Sequence, residues 1–398
     1  MGNRQIRYCL ICTCILYMTR KIKVLECIRQ GQIGGGESHL LSLVQNLDRS
    51  EFEPIVLSFT DGPMIGKLRE MDVNAQIIHT EKPFDIGKWG QVKQFIRNNN
   101  VDIIHAHGTR ANSNIIWAAR SLGIPVIYTI HGWSFHQDQN WLVKNIRIMG
   151  EKYLTNKSDL NISVSASNQQ SGQKFISSFK SVVVNNGIDQ QKFDPGKQYR
   201  DIRQELNIPK NKILVLFVAR FTSHKQPISL IKAFQKAVES NPEMHLLMVG
   251  EGDERLAAEK IIGESRLENK ITLQPFRQDV PDLLAAADIF VLPSLWEGLP
   301  IGLLEAMAMG KAVIASEVDG TVEIVQHNKN GFLIKTIDLV NELARSLLLL
   351  SQDAPLRDSF GREAIKTVKD RFNAAVMTRE IEKIYTTLYT KQIEKNKN

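Results

Sequence analysis

The sequence predicts an α/β protein of two Rossmann-like domains, each a doubly wound parallel sheet, facing a central cleft. Three observations carry this. Apolar strand-like runs alternate with segments of helical period through almost the whole chain, as doubly wound parallel sheets require. A polar stretch, Asp189–Tyr199 (DQQKFDPGKQY), interrupts the alternation around Pro195-Gly196 with the composition of an interdomain linker. The pattern then restarts at Ile213–Ala219 (ILVLFVA), a continuous apolar run suited to a strand covered on both faces. With 398 residues the chain is long enough for two such cores.

In the first domain, residues 21–190, the expected strands are Ile22–Ile28, Ile55–Phe59, Val101–Ala106, Pro125–Ile130, Leu160–Ser165 and Val182–Val184. Between the first two lies a helix over Ser38–Leu47, where Leu40, Leu43, Val44 and Leu47 recur at i, i+3, i+4 and i+7. The second domain, residues 191–372, continues after Ile213–Ala219 with His245–Val249, Ile271–Leu273, Asp288–Pro293 and Ala312–Ser316. From about Leu339 the pattern is helical. A C-terminal helix within 373–398 is expected to pack back on the first domain, with a frayed charged tail, KQIEKNKN.

Residues 1–20 form an extension. Its apolar run, Tyr8–Met18, has 11 residues between Arg7 and Arg20, against the roughly 20 a bilayer span needs. No small-residue cleavage site follows it. Two readings stand, a shallow membrane-surface anchor or a translation start at Met18; we prefer the second, with the folded protein beginning near Lys21. Cys9, Cys12 and Cys14 lack a fourth zinc ligand at a finger-like spacing. Together with Cys27 they make no disulfide framework, which favours a reducing, cytoplasmic compartment.

The formal charge of +7 is uneven, a surplus of six cations in residues 1–195 and one in 196–398. A basic half suits phosphorylated substrates or anionic lipid headgroups, or is simply solvated. No basic tract with interleaved aromatics, helix-turn-helix or zinc-finger spacing is present, so nucleic acid is not an expected partner.

Ligands of open α/β sheets bind beyond the carboxyl ends of the strands, and three motifs stand there. Gly34-Gly35-Gly36-Glu37 follows the first strand and opens a helix; glycines admit a close ligand and a helix N-terminus attracts negative charge. It is not the dinucleotide fingerprint, because His39 occupies the third glycine's place. A tight strand-to-helix turn explains it equally well. Arg220 and Lys225, in ARFTSHKQP, leave the opening strand of the second domain. Two such cations can neutralise a departing diphosphate, where isolated surface cations would merely be solvated. Glu297 and Glu305 flank Gly298, Pro300 and Gly302, which prevent one helix from running through both. Glu297 therefore belongs to a loop, and Glu305 to a helix begun near Pro300 and closed by Gly310. Each carboxylate can accept bonds from vicinal hydroxyls, the chemistry of a sugar and of a ribose.

At this point the chain resembles the retaining glycosyltransferases of family 4, the glycosyl transferases group 1, which have the GT-B fold. Val291–Ser316 (VLPSLWEGLPIGLLEAMAMGKAVIAS) is similar to their E-x7-E region. The resemblance runs from about Ile22 to Asp370 through GGGE, DIIHAHG (Asp102–Gly108), TIHG (Thr129–Gly132), NNGID (Asn185–Asp189), the Arg220/Lys225 loop, GEGDE (Gly250–Glu254) and NGFLI (Asn330–Ile334). It implies that Arg220 and Lys225 bind the donor diphosphate and Glu305 the ribose hydroxyls. It implies that Glu297 contacts the donor sugar, with Leu299, Pro300, Ile301 and Gly302 near sugar and phosphates, and Gly250 and Glu251 on the donor side. Gly34, Gly35 and Gly36 meet the diphosphate from the other domain, and His131 stands beside the reacting carbon. A lone histidine after a strand is otherwise more often structural. One departure is Val318-Asp319-Gly320-Thr321, where the family often has a Gly-Gly pair.

No Asp-x-Asp motif is present, so the expectation is catalysis without a metal or other cofactor, Arg220, Lys225 and helix N-termini acting as electrophile. The resemblance implies retention of anomeric configuration. It also places the acceptor on the first domain, where the charge favours a lipid-linked or lipopolysaccharide-type glycan at the inner membrane face, as a step in surface-polysaccharide assembly. Acceptor-side candidates are His107, Arg110 and Trp133. The donor is a UDP- or GDP-sugar carrying a hexose. A sugar-nucleotide epimerase on the same architecture and a non-catalytic nucleotide-sugar-binding protein stay open as alternatives.

Overall fold

The structure, a computed structural model, describes residues 20–30, 34–136 and 139–397. The expectations for Tyr8–Met18, for a start at Met18 and for Cys9, Cys12 and Cys14 lie outside the described residues.

The strands are β1 (Ile22–Ile28), β2 (Phe52–Ser58), β3 (Asn74–Ile77), β4 (Ile103–His107), β5 (Val126–Ile130), β6 (Leu160–Ser163), β7 (Val182–Val183), β8 (Ile213–Val218), β9 (Met244–Val249), β10 (Ile271–Gln274), β11 (Ile289–Leu292), β12 (Ala312–Ser316) and β13 (Phe332–Ile334). They form a seven-stranded sheet in the order β3-β2-β1-β4-β5-β6-β7 and a six-stranded sheet in the order β10-β9-β8-β11-β12-β13. β1 lies parallel between β2 and β4, and β8 lies parallel between β9 and β11. In both sheets the opening strand is therefore central and the order reverses beside it, the switch point at which such sheets bind ligands.

By contact density the chain forms two units, one of Met1–Thr129, Ser134–Ile162 and Thr378–Asn398, the other of Ile130–Trp133 and Ser163–Met377. In the first, Val56 of β2, Ile28 of β1 and the helical Leu40, Val44, Met64 and Leu68 close one core cluster. In the second, β8 divides its side chains between two clusters. Leu214 and Leu216 enter one, and Val215 and Phe217 enter the other. Both faces of the strand are covered, which is why it reads as an unbroken apolar run.

Two edge strands, β3 and β13, are absent from the sequence reading; at four and three residues they are too short to show a period. β2 begins at Phe52, three residues before the expected start. The first helix spans Gly35–Asn46 rather than Ser38–Leu47. The helix Ala374–Lys397 takes in the tail as far as the described residues run, and Gln392 Nε2 donates to the Gly123 carbonyl at 3.0 Å.

Candidate active site

The second unit builds its site from strand ends. Beyond β9, Gly250 has φ +146°, and a Cβ there would lie 2.0 Å from the Ala219 carbonyl oxygen, so only glycine fits. That approach lets the Gly250–Glu254 loop clasp the loop leaving β8. Phe221 N–H donates to Glu251 O at 2.8 Å, and Glu254 N–H to Phe221 O at 2.9 Å. Arg220 extends from this clasp, exposed. No side-chain hydrogen bond or ion pair engages it among the described residues. Lys225 ends the 3-10 turn Ser223–Lys225 and forms an ion pair with Glu297.

Glu297 lies in the loop after β11 and Glu305 in the helix Ile301–Ala308 whose N-cap is Pro300, the division expected from Gly298, Pro300 and Gly302. Ser294 Oγ donates to Glu297 Oε1 at 2.6 Å. Gly298 admits no side chain, because its Cβ would stand 1.9 Å from the His131 carbonyl oxygen. Its own carbonyl accepts from Ser165 Oγ at 2.9 Å, and that of Leu299 from Asn186 Nδ2 at 2.8 Å. The His131 backbone and the glutamate loop are thus packed together. Beside them the His224 and Trp296 rings stack, 4.1 Å between centroids and 9° from parallel.

Glu305 is half-buried and its carboxylate has no hydrogen-bond or ion-pair partner among the described residues. Burial raises its pKa to about 7, against the opposing charge of Lys192. A carboxylate held so in a folded protein favours any ligand that brings hydroxyl donors to it. Asp319, at φ +27°, also has its pKa raised by burial, opposed by a backbone hydrogen bond from Glu297.

Other candidates have different surroundings. Gly34 is the N-cap of the helix Gly35–Asn46, and Gly35 and Gly36 form its first turn. Gly34 N–H donates to Glu37 Oε2 at 3.1 Å, so this carboxylate satisfies part of the helix end. His107 is buried, with Nε2 2.8 Å from Glu26 Oε2; burial, then the nearby His105, lowers its pKa to about 4. Trp133 is also buried, donating from Nε1 to Asn168 O at 2.8 Å and packing edge-on against Phe179. Both acceptor-side candidates are thus interior rings near strand ends. Arg110 is half-buried and donates to the Thr80 carbonyl at 3.1 Å. Ser165, Asn186, Ser294, His224 and Trp296 were not assigned roles from sequence. Asn186 stands inside NNGID, but its bond to the Leu299 carbonyl spans 113 residues and has no local signal.

Comparison with known proteins bears on the family and the fold. Residues 33–192 match the family described as Glycosyltransferase Family 4, and residues 198–367 match Glycosyl transferases group 1. The chain is 26% identical over 299 residues to a UDP-Gal:alpha-D-GlcNAc-diphosphoundecaprenol alpha-1,3-galactosyltransferase of Escherichia coli, covering 73% of this chain and 77% of that protein. It is 27% identical over 314 residues to an N,N'-diacetylbacillosaminyl-diphospho-undecaprenol alpha-1,3-N-acetylgalactosaminyltransferase of Campylobacter jejuni, covering 75% and 82%. Among solved structures, the Anabaena protein HepE in complex with UDP and glucose superposes with a TM-score of 0.80 at 23% identity, covering 92% of this chain and all of that one. At that identity the likeness concerns the fold, GT-B.

Proposed function

The chain belongs to the family 4, group 1 glycosyltransferases, and from that premise we propose that it moves a hexose from a UDP-sugar to a lipid-linked glycan, retaining the anomeric configuration and using no metal. The observation that carries the donor half is Glu305, a half-buried carboxylate without a hydrogen-bond or ion-pair partner among the described residues, one turn into a helix at a strand's carboxyl end. A ribose supplies the two hydroxyl donors it lacks. The uracil base and the lipid diphosphate acceptor are proposed from the donor and acceptor of the Escherichia coli relative; a GDP-sugar is the second donor to try.

When the sugar–phosphate bond breaks, positive charge gathers on the sugar and negative charge on the diphosphate. Exposed Arg220, whose side chain has no hydrogen-bond or ion-pair partner among the described residues, and Lys225 are suited to meet the departing diphosphate. Glu297 holds Lys225 and is itself held by Ser294, so a sugar hydroxyl reaching Glu297 would meet an oriented acceptor. The proposed transfer is same-face: the leaving phosphate takes the acceptor hydroxyl's proton as the new glycosidic bond forms. His131 is proposed beside the reacting carbon, its backbone fixed against Gly298. The pathway proposed is surface-polysaccharide or lipopolysaccharide assembly, at the inner face of the cytoplasmic membrane. No helix among the described residues is long and apolar enough to cross a membrane.

A panel of UDP-, GDP- and ADP-hexoses, incubated with and without undecaprenyl-diphosphate sugars, tests this. Acceptor-dependent release of UDP, with an axial product linkage by NMR and no loss in EDTA, is the expected result. Interconversion of sugars without acceptor would instead identify an epimerase. Inhibition by EDTA that added metal reverses would refute the metal-free step.

A further inference from the structure

The loops leaving β8 and β11 meet at more than their charged groups. In the first, the 3-10 turn Ser223–Lys225 sets His224 directly before Lys225. In the second, Trp296 directly precedes Glu297. The two pairs face each other in step. Leu295 N–H donates to the His224 carbonyl at 2.8 Å. The His224 and Trp296 rings stack, 4.1 Å between centroids and 9° from parallel, and Lys225 is ion-paired with Glu297. Successive backbone, ring and charge contacts therefore join the loops.

Each side is also braced within its own loop. Thr222 Oγ1 lies 3.0 Å from His224 Nδ1, which sets the orientation of the imidazole ring. Ser294 Oγ donates to Glu297 Oε1 at 2.6 Å. One residue beyond Lys225, Gln226 takes φ +57° and opens the helix Pro227–Ser240, which anchors the far end of the turn. Stacked rings in a protein commonly just fill its interior. Trp296 does not: it is half-buried, as is His224, and it belongs to neither core cluster of the second unit.

A diphosphate drawn to Lys225 competes with Glu297 for the ammonium, and a sugar hydroxyl competes with Lys225 for the carboxylate. The ion pair is thus the contact that loosens when a donor arrives. The ring stack and the Leu295 backbone bond engage neither of these groups, so they hold while the pair is exchanged. We propose that His224 and Trp296 are positioning residues, whose stack keeps Lys225 and Glu297 in register as the donor replaces the ion pair. The ammonium then reaches the diphosphate already aimed, without the ordering cost of a long, free side chain. The inference rests on the donor reading above, and its test lets the two fail separately.

Titration calorimetry of the full chain with UDP and with UMP tests it without turnover, because UMP lacks the terminal phosphate of the diphosphate. Wild type is expected to prefer UDP. Trp296→Ala and His224→Ala should each cut that preference about three- to tenfold, the span of an aromatic pair, with UMP affinity and melting temperature near those of wild type. The double variant should match either single, since each removes the same stack. Trp296→Phe, which keeps a flat ring against His224, should restore most of the preference. With a hexose donor, Trp296→Ala should lower kcat more than it raises KM. His224→Ala, the smaller excision, carries the test should Trp296→Ala misfold. A ring that only fills space would lower melting temperature and both affinities together. That result, or an unchanged preference in both alanine variants, would overturn the proposal and leave the donor site in place. Wild type that binds neither nucleotide would remove the donor reading and this inference with it.

Discussion

The Lys225 ammonium is ion-paired with the Glu297 carboxylate. This joins two motifs that lie 72 residues apart, the cation loop after β8 and the glutamate loop after β11. Two groups assigned to different parts of a donor are thus already one unit, with Ser294 as its third member. Lys225→Ala and Glu297→Gln should each lower kcat by about 10²-fold or more, as losses of transition-state charge stabilisation do. The double variant should be no worse than the poorer single, because paired groups are non-additive. Steady-state kinetics of all four proteins checks this; fully multiplicative losses would mean the pair acts independently. Arg220→Ala, which breaks no such contact, should lower kcat by a similar factor with its fold unchanged.

Gly298 offers a sharper structural prediction. A methyl group there would collide with the His131 carbonyl oxygen, 1.9 Å from the Cβ position. Gly298→Ala must therefore move either the glutamate loop or the chain after β5. We expect a stability loss of about 1–3 kcal/mol, typical of overpacking, and a larger proportional loss of kcat than of donor affinity. Calorimetry and kinetics on the same preparation separate the two. A variant with native kcat would show that the backbone contact does not set the site.

How much of this was legible in sequence follows from what each signal depends on. β1 and β12 were read to the residue because charged residues bound each of them, Lys21 and Arg29 the first and Lys311 and Glu317 the second. The loop-and-helix division of Glu297 and Glu305 was legible because glycine and proline act locally. β3 and β13, short edge strands, carry too few residues for a period. The partners of Gly298 were not legible either: Ser165 lies 133 residues away and nothing local distinguishes it from any helix N-cap serine. His107 misled for a related reason. A histidine at a strand end looks accessible until Glu26 on the neighbouring strand is seen to hold it.

That buried group gives a stability prediction. Tyr385, from the C-terminal helix, donates to Glu26 Oε1 at 2.6 Å and lies 2.7 Å from His105 Nδ1. His107 completes the cluster through the other Glu26 oxygen. Tyr385→Phe keeps the ring and removes the bridge, which should cost about 1–3 kcal/mol by leaving buried acceptors unsatisfied. The cluster should also make the protein acid-sensitive. The folded pKa of His107, about 4, lies below its ordinary 6.5, so the unfolded chain binds more protons between those values and stability falls as pH drops through that window. Glu26, held below the usual carboxylate range by His105 and His107 despite its burial, acts in the same direction at lower pH. Melting temperatures of wild type and His107→Gln from pH 7 to pH 4 should converge toward acid.

Glu305 should behave in the opposite sense. Its folded pKa, about 7, lies above the ordinary 4.5, so the folded state holds a proton that the unfolded chain has already lost. Stability should therefore fall as pH rises from 4.5 to 7, by about 1–3 kcal/mol once partial exposure is allowed for. Glu305→Gln removes that penalty, and its melting-temperature advantage over wild type should grow from pH 5 to pH 8. The same substitution should weaken UDP binding about tenfold or more, because a charged acceptor for the ribose hydroxyls is lost. In wild type the affinity should rise through pH 7, with release of a proton that titration calorimetry in buffers of different ionisation enthalpy detects. A variant both more stable and weaker in binding would mark Glu305 as a residue kept for its ligand at the expense of the fold. Unchanged UDP affinity in Glu305→Gln would remove it from the donor site.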